Sequence, residues 1–210
     1  SPADDGGSTA NCNPVVPAAD DGNSASGNPA ASGRGSATYD NCRVLLEGKR
    51  SSFQAWIGFR LSRNDILDIN CEAIHTGRKT ESSIRASGSL SGRSSKLLRG
   101  TIDLRRGCSG AVGNELEEVL LLDDTVRNRS VPVILCGEED VEGNHGATIG
   151  RPDESQLFYL ESRGISESSA LDLLTRAKLD SVIRRIPDES VRRELRDAGL
   201  GFSGKGAIPE

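Results

Sequence analysis

The chain has 210 residues, a net charge of −5, 35% hydrophobic and only 3% aromatic residues, and a mean hydropathy of −0.42. Its basic residues are spread along the sequence rather than clustered with aromatics, which excludes nucleic acid as an expected partner. No apolar run is long enough to cross a bilayer and no signal-peptide pattern opens the sequence, so the chain is expected to be cytoplasmic and without a membrane partner.

The first 41 residues are dominated by Ser, Ala, Gly, Asn, Asp and Pro, as in the run GNSASGNPAASGRGSA. Such a composition cannot bury enough apolar surface to offset the entropy of ordering the chain. Residues 1–41 are therefore predicted to form a low-complexity, disordered arm. The sequence contains no methionine, even at its start, which suggests a processed or excised fragment.

Residues 42–150 contain short apolar runs separated by glycines. Several of these runs alternate apolar and polar residues, as in TIDL (residues 101–104), which is the period of a half-buried strand. Gly77, Gly92 and Gly107 are spaced fifteen residues apart. Short strands with turn signals at a regular interval predict an all-β region, and the spacing leaves a sandwich, a barrel and a solenoid open.

The pattern changes to helix over residues 151–198. Capping and breaking residues mark the expected helix starts and ends: Asp153, Gly164, Ser166, Pro187 and Asp188. Three helices are therefore predicted, the second of them with its apolar residues largely on one face. Residues 199–210 are expected to form a flexible tail.

Two sequence runs carry a family resemblance. The run EEDVEGNHGATIGRPDESQLFYLESRGIS (residues 138–166) follows KTESSIRASGSLSGRSSKLLRGTIDLRRG (residues 79–107). Together they resemble the SufB/SufD family of the SUF iron–sulfur cluster assembly machinery, over roughly residues 42–198. The likeness is closer to SufD, because SufB-type proteins carry an essential cysteine in a strand whose counterpart here, residues 114–124, contains none.

The resemblance implies a right-handed parallel β-helix over residues 42–150 and a C-terminal α-helical region over 151–198. It also implies a non-catalytic subunit that pairs with a SufB-like protein and carries a SufC-like ATPase on its helical region. A homodimer is an alternative assembly. No iron–sulfur cluster is expected to stay bound to the chain alone; the nascent cluster would form at the interface with the SufB-like subunit.

His145, within VEGNHGATIG, is the candidate ligand for a metal or for a cluster cofactor, since imidazole can replace thiolate on cluster iron. A ligating histidine needs its second ring nitrogen held by a carboxylate or carbonyl, and Asp140 and Glu142 are the nearest carboxylates in sequence. The alternative is a structural histidine in a glycine-rich turn. His75 is expected to be structural, and Cys136 to belong to the core.

Two other functions stay open. One is a β-solenoid carbohydrate-active enzyme, which would need a pair of carboxylates that the sequence does not single out. The other is a degenerate family member that only holds SufC. The five cysteines, which are scattered without a CxxC pair, argue against a disulfide framework and against a self-contained zinc or cluster site.

Overall fold

The computed structural model describes residues 9–12, 15–16 and 35–201. Ten strands precede three helices in chain order. The strands are β1 (Thr9–Cys12), β2 (Val15–Val16), β3 (Ala37–Leu46), β4 (Ser52–Leu61), β5 (Ile66–His75), β6 (Glu81–Leu90), β7 (Ser95–Leu104), β8 (Ala111–Leu121), β9 (Arg127–Cys136) and β10 (Val141–Gly150). The helices are α1 (Glu154–Ser162), α2 (Glu167–Ile183) and α3 (Glu189–Asp197).

Successive strands alternate between two parallel sheets, so that β3 to β10 wind into a solenoid of four coils. Sheet A contains β4, β6, β8 and β10 in that order, and sheet B contains β3, β5, β7 and β9. Each strand pairs with the strand one coil later, as β3 with β5 and β8 with β10. The fold is a parallel β-solenoid, which resolves the choice left open by the spacing and confirms the architecture that the resemblance implied.

The glycine spacing of fifteen residues is half a coil. Gly77, Gly92 and Gly107 each lie in the bend between a strand of one sheet and the next strand in the other sheet. Gly92 and Gly107 have φ angles of 65° and 103°, a backbone region that favours glycine. The repeat therefore marks the bends of the solenoid.

The core fills the narrow space between the two sheets. Alternate residues of each strand point inward, and most of the buried side chains are aliphatic, with Phe53 and Phe59 as the largest. The third coil differs, because it places Lys96, Glu115 and Glu117 at buried, inward-facing positions. The interior thus becomes charged towards the C-terminal end of the solenoid, where the candidate site lies.

The predicted boundaries need two corrections at the ends of the chain. Strand β3 begins at Ala37, and β1 and β2 pair with β4, although disorder was predicted for residues 1–41. Composition could not predict this pairing, because its hydrogen bonds come from the edge of a distant strand. Leu200, in the predicted flexible tail, is buried against Leu179 and Ile183. The rest of the arm and residues 202–210 lie outside the described residues.

The three helices begin where the sequence predicts. The side chains of Asp153, Ser166 and Asp188 each accept a hydrogen bond from a backbone N–H in the first turn of α1, α2 and α3. Such caps satisfy N–H groups that have no partner within a helix. None of these described helices is both long and apolar enough to span a membrane.

Helix α2 packs on the outer face of sheet A. Gly58 of β4 has no side chain, and a Cβ there would lie 3.4 Å from side-chain atoms of Leu179 and Val182. Lys178 of the helix also binds Glu118 of β8, with 2.7 Å between Nζ and Oε1. These contacts attach the helical region to the solenoid.

Candidate functional site at the end of the solenoid

His145 lies in the middle of β10, a strand of ten residues. The glycine-rich turn in the alternative interpretation of His145 is therefore wrong. One of the flanking glycines serves packing instead, because a Cβ on Gly143 would lie 2.6 Å from Cγ2 of Ile134 in β9. The glycines leave room for the side chains of the neighbouring strand while the backbone stays extended. The hydrogen bonds of the sheet therefore fix the position of the His145 backbone.

The last coil, β9 and β10, closes the described solenoid. Within the described residues, β9 is the C-terminal edge strand of sheet B and β10 is the C-terminal edge strand of sheet A. The His145 side chain faces inward on this coil and remains 28% exposed. Ile149, which faces inward on the same strand, is 40% exposed as well. The imidazole thus lies at an open, partly apolar end.

The nearest carboxylate to His145 belongs to Glu115, its direct partner in the register of β8 with β10. Nδ1 of His145 and Oε2 of Glu115 are 3.8 Å apart, and the Glu115 side chain is 1% exposed. Across the interior, the carboxyl group lies against Gly100 of β7, where a Cβ would come within 2.4 Å of Cδ. Within the described part of the chain, neither carboxylate oxygen of Glu115 has a hydrogen-bond partner.

A buried ion pair lies beside this carboxylate. Nζ of Lys96 donates to Oε1 of Glu117, and it also lies 5.3 Å from the ring centroid of Phe59. Burial lowers the pKa of Lys96 to about 7, an effect that the charge of Glu115 opposes. Burial likewise raises the pKa of Glu115, against the influence of His145 and Lys96. Ionisable side chains therefore extend through the interior from Lys96 to the partly exposed imidazole of His145.

The two carboxylates proposed from the sequence do not hold His145. Oδ2 of Asp140 accepts a hydrogen bond of 2.8 Å from Ser109, and Glu142 is on a β10 position that alternates away from the inner face. Sequence reasoning missed Glu115, which is one coil earlier in the chain. The coil repeat was the signal that could have identified it, since residues one coil apart are neighbours in a solenoid.

Cys136, the last residue of β9, is exposed, so the expectation that it belongs to the core is wrong. The pKa of the Cys108 thiol is raised by burial first, then by Glu138, with a smaller effect from Cys136, so the two cysteines are neighbours. Among the described residues, no group of three or more His, Cys, Asp and Glu side chains is arranged to hold a metal ion. His145 and Glu115 are the pair that the structure brings together.

His75 ends β5 and is fully buried, as expected for a structural residue. Its Nδ1 lies 2.7 Å from the Thr80 hydroxyl and its Nε2 lies 2.8 Å from the Ser82 hydroxyl. Because Thr80 donates its own proton to the carbonyl of Gly77, it accepts from Nδ1–H, and Nε2 accepts from Ser82. This network requires a neutral imidazole.

We expect His75 to make folding sensitive to acid. Burial lowers its pKa from 6.5 to about 4, with Asp103 opposing the shift. Between these values the unfolded chain binds more protons than the folded chain, so the free energy of unfolding falls as the pH falls from 6.5 towards 4. The loss should be about 3 kcal/mol, measured by urea unfolding across this range.

The variant His75→Gln tests the assignment because glutamine does not titrate. It should be less stable at neutral pH and should lack this part of the acid dependence, whereas His145→Ala should retain it. An equal acid dependence in His75→Gln and the wild type would assign the effect to other groups.

Comparison with known proteins identifies the family of this chain. A family model described as the SufBD core domain of SUF system FeS cluster assembly matches residues 22–178. The chain belongs to the SufBD family. The match includes the whole solenoid from β3 to β10 and most of α2, and it therefore includes His145 and Glu115.

Two relatives of this SufBD chain are named as iron–sulfur cluster assembly proteins. It is 28% identical over 161 residues to the iron–sulfur cluster assembly protein SufD of Bacillus subtilis, covering 77% of this chain and 34% of the relative. It is 31% identical over 152 residues to an iron–sulfur cluster assembly SufBD family protein of Staphylococcus epidermidis, covering 72% and 32%. The chain thus spans about a third of the length of these relatives.

The structure gives little support to the alternative prediction of a carbohydrate-active enzyme. Such an enzyme needs two carboxylates free to act on a glycosidic bond. Asp68, which lines a shallow depression on sheet B with Tyr39, is engaged by Arg99 in an ion pair. Membership of the SufBD family favours cluster assembly over glycoside chemistry.

Proposed function

We propose that this SufBD chain is a SufD-like, non-catalytic subunit for iron–sulfur cluster assembly. In this proposal His145 supplies an imidazole ligand to a nascent cluster at the interface with a SufB-like subunit. The observation that carries it is the position of His145, inward-facing on the last coil yet 28% exposed. A histidine nitrogen is an established ligand of cluster iron, and the relatives are named as iron–sulfur cluster assembly proteins.

The SufB-like subunit would dock against the last coil. Within the described residues, β9 and β10 each have one edge without a neighbouring strand, and such edges readily pair with another chain. Ile149 faces inward on β10 and is 40% exposed, so docking against this end would also bury apolar surface. A second copy of this chain is the alternative occupant of the same surface.

The cluster would be shared between subunits. A cluster ordinarily takes four protein ligands, and His145 with Glu115 offers at most two groups. We therefore expect the isolated chain to hold no cluster stably after anaerobic reconstitution, and the cluster to appear when the SufB-like subunit is present.

A SufC-like ATPase would dock on the helical region. The side chains of Phe158 and Tyr159 on α1 are 72% and 56% exposed. Exposed aromatic side chains on a helix are typical centres of protein interfaces. Helix α1 is therefore the surface that this part of the proposal assigns to the ATPase.

Replacing Phe158 with serine should weaken ATPase docking without unfolding the chain. An interface aromatic of this kind contributes about 2 kcal/mol or more to binding, so the dissociation constant for the purified SufC-like protein should rise about 30-fold or more. Isothermal titration calorimetry measures it. Tyr39→Ser is the matched control, because Tyr39 is 71% exposed but lies on β3 of the solenoid. Equal binding by both variants would remove α1 from the proposal.

A further inference from the structure

Glu115 is an unusual residue for the interior of a solenoid. Its side chain is 1% exposed, and both carboxylate oxygens lack a hydrogen-bond partner among the described residues. A buried carboxylate without a partner is destabilising, and such groups in folded proteins are normally paired or serve a site. The equivalent position one coil earlier is occupied by Ile84, a fully buried apolar residue, so packing alone does not require a carboxylate here.

Two cationic or ionisable groups influence the Glu115 carboxylate, those of His145 and Lys96. The ammonium group of Lys96 donates to Glu117, and it makes no hydrogen bond to either carboxylate oxygen of Glu115 within the described residues. His145 is therefore the group left for Glu115, and it lies directly beside it in the β8–β10 register.

The geometry selects one nitrogen of the imidazole. Nδ1 is the ring nitrogen that faces Glu115, at 3.8 Å from Oε2. Closing this gap to a hydrogen bond of about 2.8 Å needs a movement of about 1 Å, which side-chain rotation can supply when a metal binds. Gly100 keeps space for the carboxyl group opposite β8, where a Cβ would lie 2.4 Å from it.

We propose that Glu115 is a positioning residue for His145, which accepts a hydrogen bond from Nδ1–H and leaves Nε2 as the nitrogen that binds iron. This inference rests on the proposed function. A carboxylate behind a ligating histidine fixes the tautomer and the ring orientation and makes the ligand more basic. An interior acid is suited to this role because no solvent competes for its oxygens.

The test is ¹⁵N NMR of the chain labelled on histidine, which contains two histidines in all. At about pH 8.5, well above the ordinary histidine pKa, the wild-type His145 should be in the Nδ1–H form. In Glu115→Leu it should shift towards the Nε2–H form that free imidazole prefers, with Glu115→Gln intermediate. Cluster delivery by the complex should fall about tenfold in Glu115→Leu.

Two controls keep the result interpretable. Glu142→Gln removes an equal charge from the outer face of β10 and should leave the His145 tautomer unchanged. The His75 signals should stay in the Nδ1–H form in every folded variant, because Thr80 and Ser82 hold that ring. A wild-type His145 in the Nε2–H form overturns the positioning role even if Glu115→Leu does not fold, and even if His145 proves necessary for assembly.

Discussion

Replacing His145 with alanine should lower cluster delivery by the assembled complex about 10- to 100-fold, the usual cost of losing a ligand or its support at a metal site. Folding should be nearly unchanged, because the side chain is partly exposed on an edge strand and contributes little to the core. The measurement is the rate of cluster transfer from the purified complex to an apo-acceptor, with a thermal melt of each variant beside it.

Asn144→Ala is the matched control for this experiment. Asn144 precedes His145 on β10 but faces outward, where its side chain donates a hydrogen bond of 3.1 Å to Asn114. That variant should deliver clusters at the wild-type rate. If His145→Ala also does so, the histidine is structural, and the chain is better described as a degenerate subunit that only holds the ATPase.

Lys96→Met should lower the free energy of unfolding by about 3–5 kcal/mol, the range for breaking a buried ion pair. The side chains of Lys96 and Glu117 are 1% and 0% exposed, so the variant would leave Glu117 as an uncompensated buried charge. Urea unfolding of the chain at neutral pH measures the loss.

The double variant Lys96→Met/Glu117→Leu should recover most of this loss, because apolar residues of similar size can replace a buried pair at little cost. Arg99→Met is the surface control: Arg99 pairs with Asp68, the side chains are 39% and 26% exposed, and the cost should be about 1 kcal/mol or less. A Lys96→Met variant as stable as Arg99→Met would show that the interior pair is solvated.

Much of the fold could be predicted because its signals are local. Alternation in runs such as TIDL predicted strands, and the glycine spacing recorded the bends at which the chain passes between sheets. Asp153, Ser166 and Asp188 predicted the helix starts, since a cap acts on backbone groups two or three residues away. The solenoid itself came from the family resemblance, because sandwiches and barrels use the same local patterns.

By itself the sequence determined the strand-to-helix order, the helix starts and His145 as the residue of interest. The tertiary structure alone decided that VEGNHGATIG is a strand, that Thr9–Cys12 joins sheet A, and that Glu115 faces His145. These features depend on register between strands one coil apart. Register is set by the lengths of all the intervening bends and by inward packing, and no short stretch of sequence contains that information.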